Sequence, residues 1–335
     1  MTKKAVLLAN LGSPDDTDVS SVRRYLNQFL MDRYVIQLPW ILRRLIVSLF
    51  VLPTRPKASA EAYRSVWMEQ GSPLVVLSEQ LRQAVQDKLD IPVAMAMRYG
   101  QPSIESQLVA LSEQGIEEVL YIPLYPHYAE STVTTSIVEA QRVIAKHNLS
   151  IELNIVEPFY EQPDYIAALV ASAKPYLDQD YDHLIFSYHG LPESHITKLD
   201  TTGQHCLQGA GCCQQASEVH KTCYKHQVMR TTACFVEQAG LDSSKFSVAF
   251  QSRLGRAKWL DPNTEDRLRE LAASGAKKVL VICPAFVTDC LETLEEIAIR
   301  GEEVFREAGG ESLTLIPCMN DSDKWVDTLS SWSKG

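Results

Sequence analysis

The chain has no apolar run long enough and free enough of charge to cross a membrane, which removes the integral membrane class first. Its most hydrophobic stretch, YVIQLPWILRRLIVSLFVLP (34–53), nears the required length of about 20 residues. Arg43 and Arg44 stand in its middle, at a cost of about 3 kcal/mol each near a bilayer centre. It therefore reads as an amphipathic core helix or as a greasy lip with basic head groups that touches a membrane surface or an apolar ligand. Basic residues are also scarce: 32 Lys and Arg against 42 Asp and Glu leave a net charge of −10. With no Lys/Arg cluster to neutralise phosphates, a general nucleic-acid binder is excluded. Neither G-x-G-x-x-G nor G-x-x-x-x-G-K-S/T follows a strand-like run, so dinucleotide and nucleotide-phosphate sites lack their signatures. A secretory leader is missing too. MTKKAVLLANLGSPDD begins basic and then apolar, but Asn10 interrupts the run, no small-residue cleavage site follows, and two aspartates come next. It reads as the first strand of a cytoplasmic protein.

What remains is an ordinary globular composition, 45% hydrophobic and 22% charged, over 335 residues, enough for two domains. Strand-like runs alternate with helix-length segments: AVLLANLG, VAMAMRYG and EEVLYIPLYP, then HLIFSYHG, FSVAFQSR and KKVLVICPAF. That alternation predicts parallel sheets covered by helices on both faces. The order repeats. GIEEVLYIPLYPHYAEST (115–132) aligns without a gap to GAKKVLVICPAFVTDCLE (275–292), and LANLGSP (8–14) aligns to FSYHGLP (186–192). The expectation is an α/β protein of two similar doubly wound, Rossmann-like domains, each with a parallel four-stranded sheet, divided as 1–160 and 161–335. A lip at about 29–75 belongs to the first, and the C-terminal helix is a candidate to pack back on it. In such sheets ligands lie beyond the carboxyl ends of the strands, so the active-site cleft is expected between the halves.

The halves carry different chemistry. LIFSYHGLP (184–192) is an interior strand ending on His189, where the first half has Leu11. A histidine there suits a satisfied sheet-edge group, a metal ligand or a proton carrier. AFVTDCLETLEEI (285–297) runs from a strand into a helix, and Glu292 stands where the first half has Thr132. Asp289 and Glu292 have the spacing of a helix cap with its reciprocal partner. The same spacing also sets two carboxylates at the mouth of the cleft near His189. Glu295, Glu296 and Glu303 extend an acidic face at helical spacing, which a solvated helix would also show. The first half offers Phe29, Leu30, Met31, Tyr99, Tyr125 and Tyr128 instead. A histidine facing carboxylates across an aromatic cleft suits removal of protons from a weakly acidic ligand; the trio would equally suit a divalent metal.

Taken together, SYHGLP, LANLGSP followed by FLMDR, MRYGQP, YPHYAEST, FQSRLGRAKWLDP and FVTDCLETL resemble the motif series of the ferrochelatases, the enzymes that insert ferrous iron into a porphyrin to complete haem. The resemblance runs in order from the first strand to about residue 320. It implies two Rossmann-like domains. It also implies that His189 is the catalytic histidine, taking pyrrole protons or meeting the substrate iron, with Glu292 as its acidic partner. By the same resemblance Arg98, Tyr99 and Tyr125 line the porphyrin site, Leu30, Met31, Arg55, Tyr63 and Ser72 form the lip, and Trp259 and Phe286 pack nearby. The chemistry agrees: a porphyrin is a flat apolar disc with propionates at one edge, and residues 29–31 and 34–53 with Arg33, Arg43, Arg44 and Arg55 supply apolar walls and a basic rim. Insertion requires two N–H protons to leave, and binding a bent ring more tightly than a flat one lowers the barrier. His189 must then be neutral to act.

Eight cysteines in a cytoplasmic-looking chain do not suggest structural disulfides. Cys234, Cys283, Cys290 and Cys318 lie in apolar or helical contexts, and Cys290 occupies a position where some ferrochelatases have histidine. HCLQGAGCCQQASEVHKTC (205–223) differs, with Cys206, Cys212, Cys213 and Cys223 in one loop-like insertion. The resemblance sets aside the animal-type cluster, since the chain ends in SSWSKG and has Glu130 at the other ligand position. It points instead to bacterial members with four internal cysteines and a 2Fe-2S cluster. Zinc, with His205 and His220 as spare ligands, is the competitor, and free thiols are the third reading. The expected activity is insertion of ferrous iron into protoporphyrin IX, the greasy lip favouring it over coproporphyrin. A cobalt chelatase for a more polar tetrapyrrole and a haem-binding carrier are the rivals. The expected setting is cytoplasmic, with peripheral contact at the inner membrane face; monomer and homodimer both remain open.

Overall fold

The computed structural model describes residues 3–209, 211–253, 255 and 257–334. Leu254 and Arg256, inside the FQSRLGRAKWLDP stretch, lie outside the described residues. The chain divides into two compact units, one of residues 1–125, 129–157 and 329–335, the other of 126–128 and 158–328.

In the first unit β1 (Lys4–Gly12), β2 (Val93–Tyr99), β3 (Glu118–Pro123) and β4 (Glu152–Ile155) form one parallel sheet in the order β2-β1-β3-β4. The central β1 is an almost unbroken apolar run because helices cover both its faces. Leu7 pairs with Ala94 on one side and Tyr121 on the other, and all three pack among Ala9, Leu108, Leu111 and Val143. Local chemistry starts the helices. Asp18 accepts from the amides of Ser20 and Ser21 to cap Val19–Leu30, and Ser103 accepts from Ser106 to cap Ile104–Glu113.

The second unit repeats the plan. Its strands β5 (His183–His189), β6 (Phe246–Gln251), β7 (Lys278–Ile282) and β8 (Ser312–Leu315) are parallel in the order β6-β5-β7-β8. Ile185, Val281, Leu268 and Phe305 make its core. Ser187, fully buried within β5, pairs with Gln251 Oε1 at 2.9 Å and Thr264 Oγ1 at 2.8 Å, so its hydroxyl is satisfied. The repeat extends to a detail the alignment did not reach: Met97 N donates to Pro102 O and Phe250 N to Pro262 O, each after the second strand of its sheet.

Each half also contains a π-helical segment after its third strand, Glu130–Thr134 in one and Leu294–Gly301 in the other. The hydrophobic stretch is a helix, Trp40–Ile46, continued by a π turn, Val47–Val51. One expectation there is corrected. Arg43 is buried, and its guanidinium donates to the carbonyls of Ile36 and Leu38 at 3.2 Å each, so it fastens the preceding turn and offers no charge to a rim. Arg44 is exposed and donates to Asn27 Oδ1 at 2.8 Å.

Candidate active site

In the second unit β5 delivers His189 half-buried at its last residue, beside Gln251 of β6. The next residue is a glycine for a steric reason: a Cβ at Gly190 would lie 2.9 Å from Gln251 O and 3.0 Å from Ser252 O. His189 Nδ1 is 2.7 Å from Gly190 O. A carbonyl oxygen can only accept, so Nδ1 carries the hydrogen, and in the neutral ring Nε2 keeps its lone pair. Tyr224 donates its hydroxyl to the His189 carbonyl at 2.8 Å, and the Phe286 ring lies 6.3 Å from the imidazole, centre to centre. Trp259 pairs with Pro192 across a short bridge, with its ring edge against Gly190.

Glu292 lies in the same unit and is half-buried. Asp289 and Glu292 do not form the reciprocal cap that their spacing allowed. Cys290 and Thr293 form it instead, with Cys290 N donating to Thr293 Oγ1 at 3.0 Å. Asp289 turns inward to accept from Thr293 Oγ1 at 2.9 Å, Asn320 Nδ2 at 2.8 Å and Cys318 N. The Glu292 carboxylate is thereby released from capping and hydrogen-bonds the Cys290 thiol, which burial, chiefly, pushes well above its ordinary pKa. Gln251, 1% exposed, joins the two candidate groups: it pairs with His189 in the sheet, and its Nε2 donates to Glu292 O at 2.7 Å. Of the acidic face, Glu296 accepts from Ser252 N at 2.7 Å and Ser252 Oγ at 2.5 Å, while burial raises the Glu295 pKa; Glu303 is exposed.

In the first unit, polar side chains gather around Asp32. Asp32, 9% exposed, accepts through Oδ2 from Arg98 Nη2 at 2.6 Å, Tyr99 Oη at 2.9 Å and Thr135 Oγ1 at 2.5 Å, and through Oδ1 from Tyr34 N at 2.8 Å. Arg98 also stacks on the Tyr99 ring at 4.5 Å. Tyr99 is wholly buried, and its pKa is raised mainly by that burial. It therefore has no surface to offer a ligand, and its place is behind Arg98 as support. Met31 and Arg98 are half-buried and Arg55 is exposed, whereas Leu30, Tyr63 and Ser72 are buried, Tyr63 edge-on to Tyr25 and Trp67. Tyr125 Oη is buried with no hydrogen-bond partner among the described residues, and burial raises its pKa strongly.

The family model for ferrochelatase matches residues 3–334. This chain belongs to the ferrochelatase family. Ferrochelatases of Pseudomonas fluorescens (strain SBW25) and Ectopseudomonas mendocina (strain ymp) are each 59% identical to it, over 333 and 331 residues, covering 99% and 98% of this chain and 97% of each relative. The fold resembles SirB from Bacillus subtilis with Fe3+, at a TM-score of 0.55 and 13% identity, covering 99% of this chain and 95% of that one. A sirohydrochlorin chelatase SirB in complex with cobalt gives 0.53 and 11%, covering 97% and 92%. At that identity the likeness concerns the fold.

The chain carries its four insertion cysteines as a linked set. Cys223 is hydrogen-bonded by both Cys213 and Cys206, and Cys212 Sγ is 3.9 Å from Cys213 Sγ. The bond from Cys213, chiefly, lowers the Cys223 pKa to about 6, while burial raises that of Cys206. Asp200 accepts from the amides of His205 and Cys206 at 2.8 Å each, which fixes the start of the segment. His205 and His220 meet at 3.1 Å through their Nε2 atoms, and His220 stacks on His226 with centroids 3.6 Å apart. No group of three His, Cys, Asp or Glu side chains among the described residues is disposed to hold one metal ion. Asp32, Thr135, Gln251, Ser252, Tyr224 and His127 were missed as site residues. FLMDR, FQSR and YPHYAEST contained four of them, but polar groups satisfied inside a fold carry no spacing signature.

Proposed function

We propose that the chain inserts ferrous iron into protoporphyrin IX, with His189 as proton acceptor and Glu292 as its acidic partner. Iron insertion into a porphyrin for haem synthesis is the activity of its family. The observation that carries the assignment is the hydrogen bond between His189 Nδ1 and Gly190 O, which leaves Nε2 as the free acceptor. Each pyrrole N–H proton then has a base to pass to as iron binds the nitrogens, and two protons leave for each ion inserted. A carboxylate nearby stabilises the imidazolium that forms and relays its proton outward. Gln251 fixes the two groups to one frame, and Glu296 on Ser252 continues the acidic path. Arg98 and Met31 supply half-buried binding surface, and the unpartnered Tyr125 hydroxyl is a standing demand for a ligand polar atom. Leu30, Arg55, Tyr63 and Ser72 shape or support that surface of the first unit, and Trp259 and Phe286 the surroundings of His189 in the second.

The test is ferrous insertion by His189→Ala and Glu292→Gln against wild type. Each is expected to lose about 100-fold or more in kcat, the scale of positioned acid-base catalysis, with an unchanged fold by circular dichroism. Wild-type turnover by His189→Ala would refute the role. Running the assay with both protoporphyrin and coproporphyrin decides between the substrates; the exposed apolar surface at 38–50 supports the less charged one.

Cys206, Cys212, Cys213 and Cys223 would hold a 2Fe-2S cluster. Four buried or half-buried thiols in one segment suit the four-thiolate ligation of such a centre. When bound, such a cluster supplies a covalent cross-link of the insertion and a redox-sensitive group. Anaerobic purification is expected to give visible charge-transfer absorbance with two irons and two sulfides per chain; a colourless protein with one zinc would refute it. The exposed 38–50 surface further supports peripheral attachment to the inner face of the cytoplasmic membrane.

A further inference from the structure

One hydrogen bond ties the proton-accepting histidine to the segment that carries the cysteines. Tyr224, 5% exposed, donates to the main-chain carbonyl of His189 at 2.8 Å. It is the first residue of the helix Tyr224–Ala239 and directly follows Cys223, the thiol bonded by both Cys206 and Cys213. A single peptide link thus separates the thiol site from the donor to the carbonyl at the catalytic strand end.

The surroundings leave that link little slack. Further along the same helix, Thr232 Oγ1 pairs with Tyr188 Oη at 2.8 Å, Thr231 Oγ1 with His127 Nε2 at 2.8 Å, and Gln227 Oε1 accepts from Tyr128 N at 2.6 Å. The His127 ring stands edge-on to both Tyr188 and Tyr224, at 5.4 and 5.8 Å. Tyr188, the neighbour of His189 in β5, and Tyr224 therefore belong to one close-packed, hydrogen-bonded block. Packed blocks of this kind shift as units, so a displacement of Cys223 reaches the end of β5. A tyrosine that merely filled space would need no hydroxyl, whereas this one is aimed at the carbonyl that orients the His189 backbone.

The geometry points to Tyr224 as a positioning residue for His189, through which the state of the thiol site sets the attitude of the imidazole. The inference rests on the reading of His189 as proton acceptor and of the four cysteines as ligands. In the full chain, Tyr224→Phe removes one hydroxyl and keeps the ring; kcat for ferrous insertion falls about fivefold while KM for the porphyrin is unchanged. Cys213→Ser lowers kcat similarly, and the double variant falls little further, because both act along one path. A second measurement does not depend on turnover. The amide resonance of Gly190 moves when metal-free wild type is reconstituted with ferrous iron and sulfide, and stays in place in Tyr224→Phe.

A folded Tyr224→Phe with wild-type kcat, a double variant whose losses multiply, or a Gly190 resonance indifferent to loading overturns the inference. The resonance decides even where Tyr224→Phe does not fold. Failure of the underlying readings looks different: no charge-transfer absorbance on reconstitution sinks the ligand set and the transmitted effect with it, and an active His189→Ala sinks the proton acceptor.

Discussion

Among single residues, the second unit keeps a histidine other than His189 buried and neutral. His127 is 3% exposed, its Nδ1 has no partner among the described residues, and desolvation lowers its pKa to about 3. His183 is lowered to about 4, again chiefly by burial. The unfolded chain binds a proton at each site below about pH 6.5, while the folded chain does not until near pH 3 or 4. Stability contributed by these groups is therefore complete above about pH 6.5 and is lost as the pH falls through the window below it, by up to about 1.4 kcal/mol per pH unit for each. Urea unfolding of wild type at pH 7, 6 and 5 should show this fall, before carboxylate titration dominates. His127→Gln should flatten the slope while lowering stability at pH 7; an unchanged slope would assign it elsewhere. None of this was legible in YPHYAEST, where His127 looks as available as His189. Spacing reports which residues share a strand end, but only the packed surroundings tell a solvated imidazole from a buried one.

Among elements, the duplication was readable because it is written in strands. Parallel strands buried on both faces read as continuous apolar runs, and six such runs in matching order leave little choice of topology, while the half-exposed β4 and β8 gave no such signal. The aligned glycines of LANLGSP and FSYHGLP, Gly12 and Gly190, show why the repeat holds at that position. Gly12 has φ +108°, and a Cβ there would lie 1.7 Å from Tyr99 O, as one at Gly190 would press on Gln251 O. In both halves the first strand's end passes against the backbone of its neighbour, and no side chain fits. Gly12→Ala is expected to destabilise the protein by about 3 kcal/mol, lowering Tm by roughly 5–10 °C, because it must both clash and hold a left-handed conformation. Calorimetry checks this, and a loss under 1 kcal/mol would mean the loop after β1 moves aside freely. The π segments were not readable. An apolar and acidic pattern at Glu292, Glu295, Glu296 and Glu303 suits an ordinary helix, and nothing in it marks the π winding at Leu294–Gly301 or the contact of Ser252 with Glu296. The Cys290–Thr293 cap escaped for a similar reason: Asp289 is the better capping residue by propensity, but Asn320 and Cys318 claim its carboxylate.

For the whole molecule, the surface raises a conflict between local and global charge. A chain of net charge −10 should be repelled by anionic lipid, yet it exposes Trp40, Ile41, Leu49 and Phe50 at 61, 66, 62 and 72% beside exposed Arg33, Arg44, Arg55 and Lys57. No helix among the described residues is long and apolar enough to cross a membrane, so the attachment proposed above would be peripheral. Apolar insertion of even part of three large side chains, at about 1.5–3 kcal/mol for each fully buried, outweighs screened repulsion from charges more than about 8 Å away at physiological salt. The local basic residues then favour the anionic headgroups. Wild type should co-sediment with vesicles of phosphatidylethanolamine and phosphatidylglycerol, and only modestly less at 0.5 M salt, since the apolar part dominates. Trp40→Ser, Leu49→Ser and Phe50→Ser combined should weaken that partition at least tenfold, with the fold unchanged by circular dichroism. Sedimentation velocity separates the rival explanation. If wild type is a dimer that the triple variant breaks, and vesicles bind neither, the surface meets a second copy of this chain and the lipid assignment is wrong.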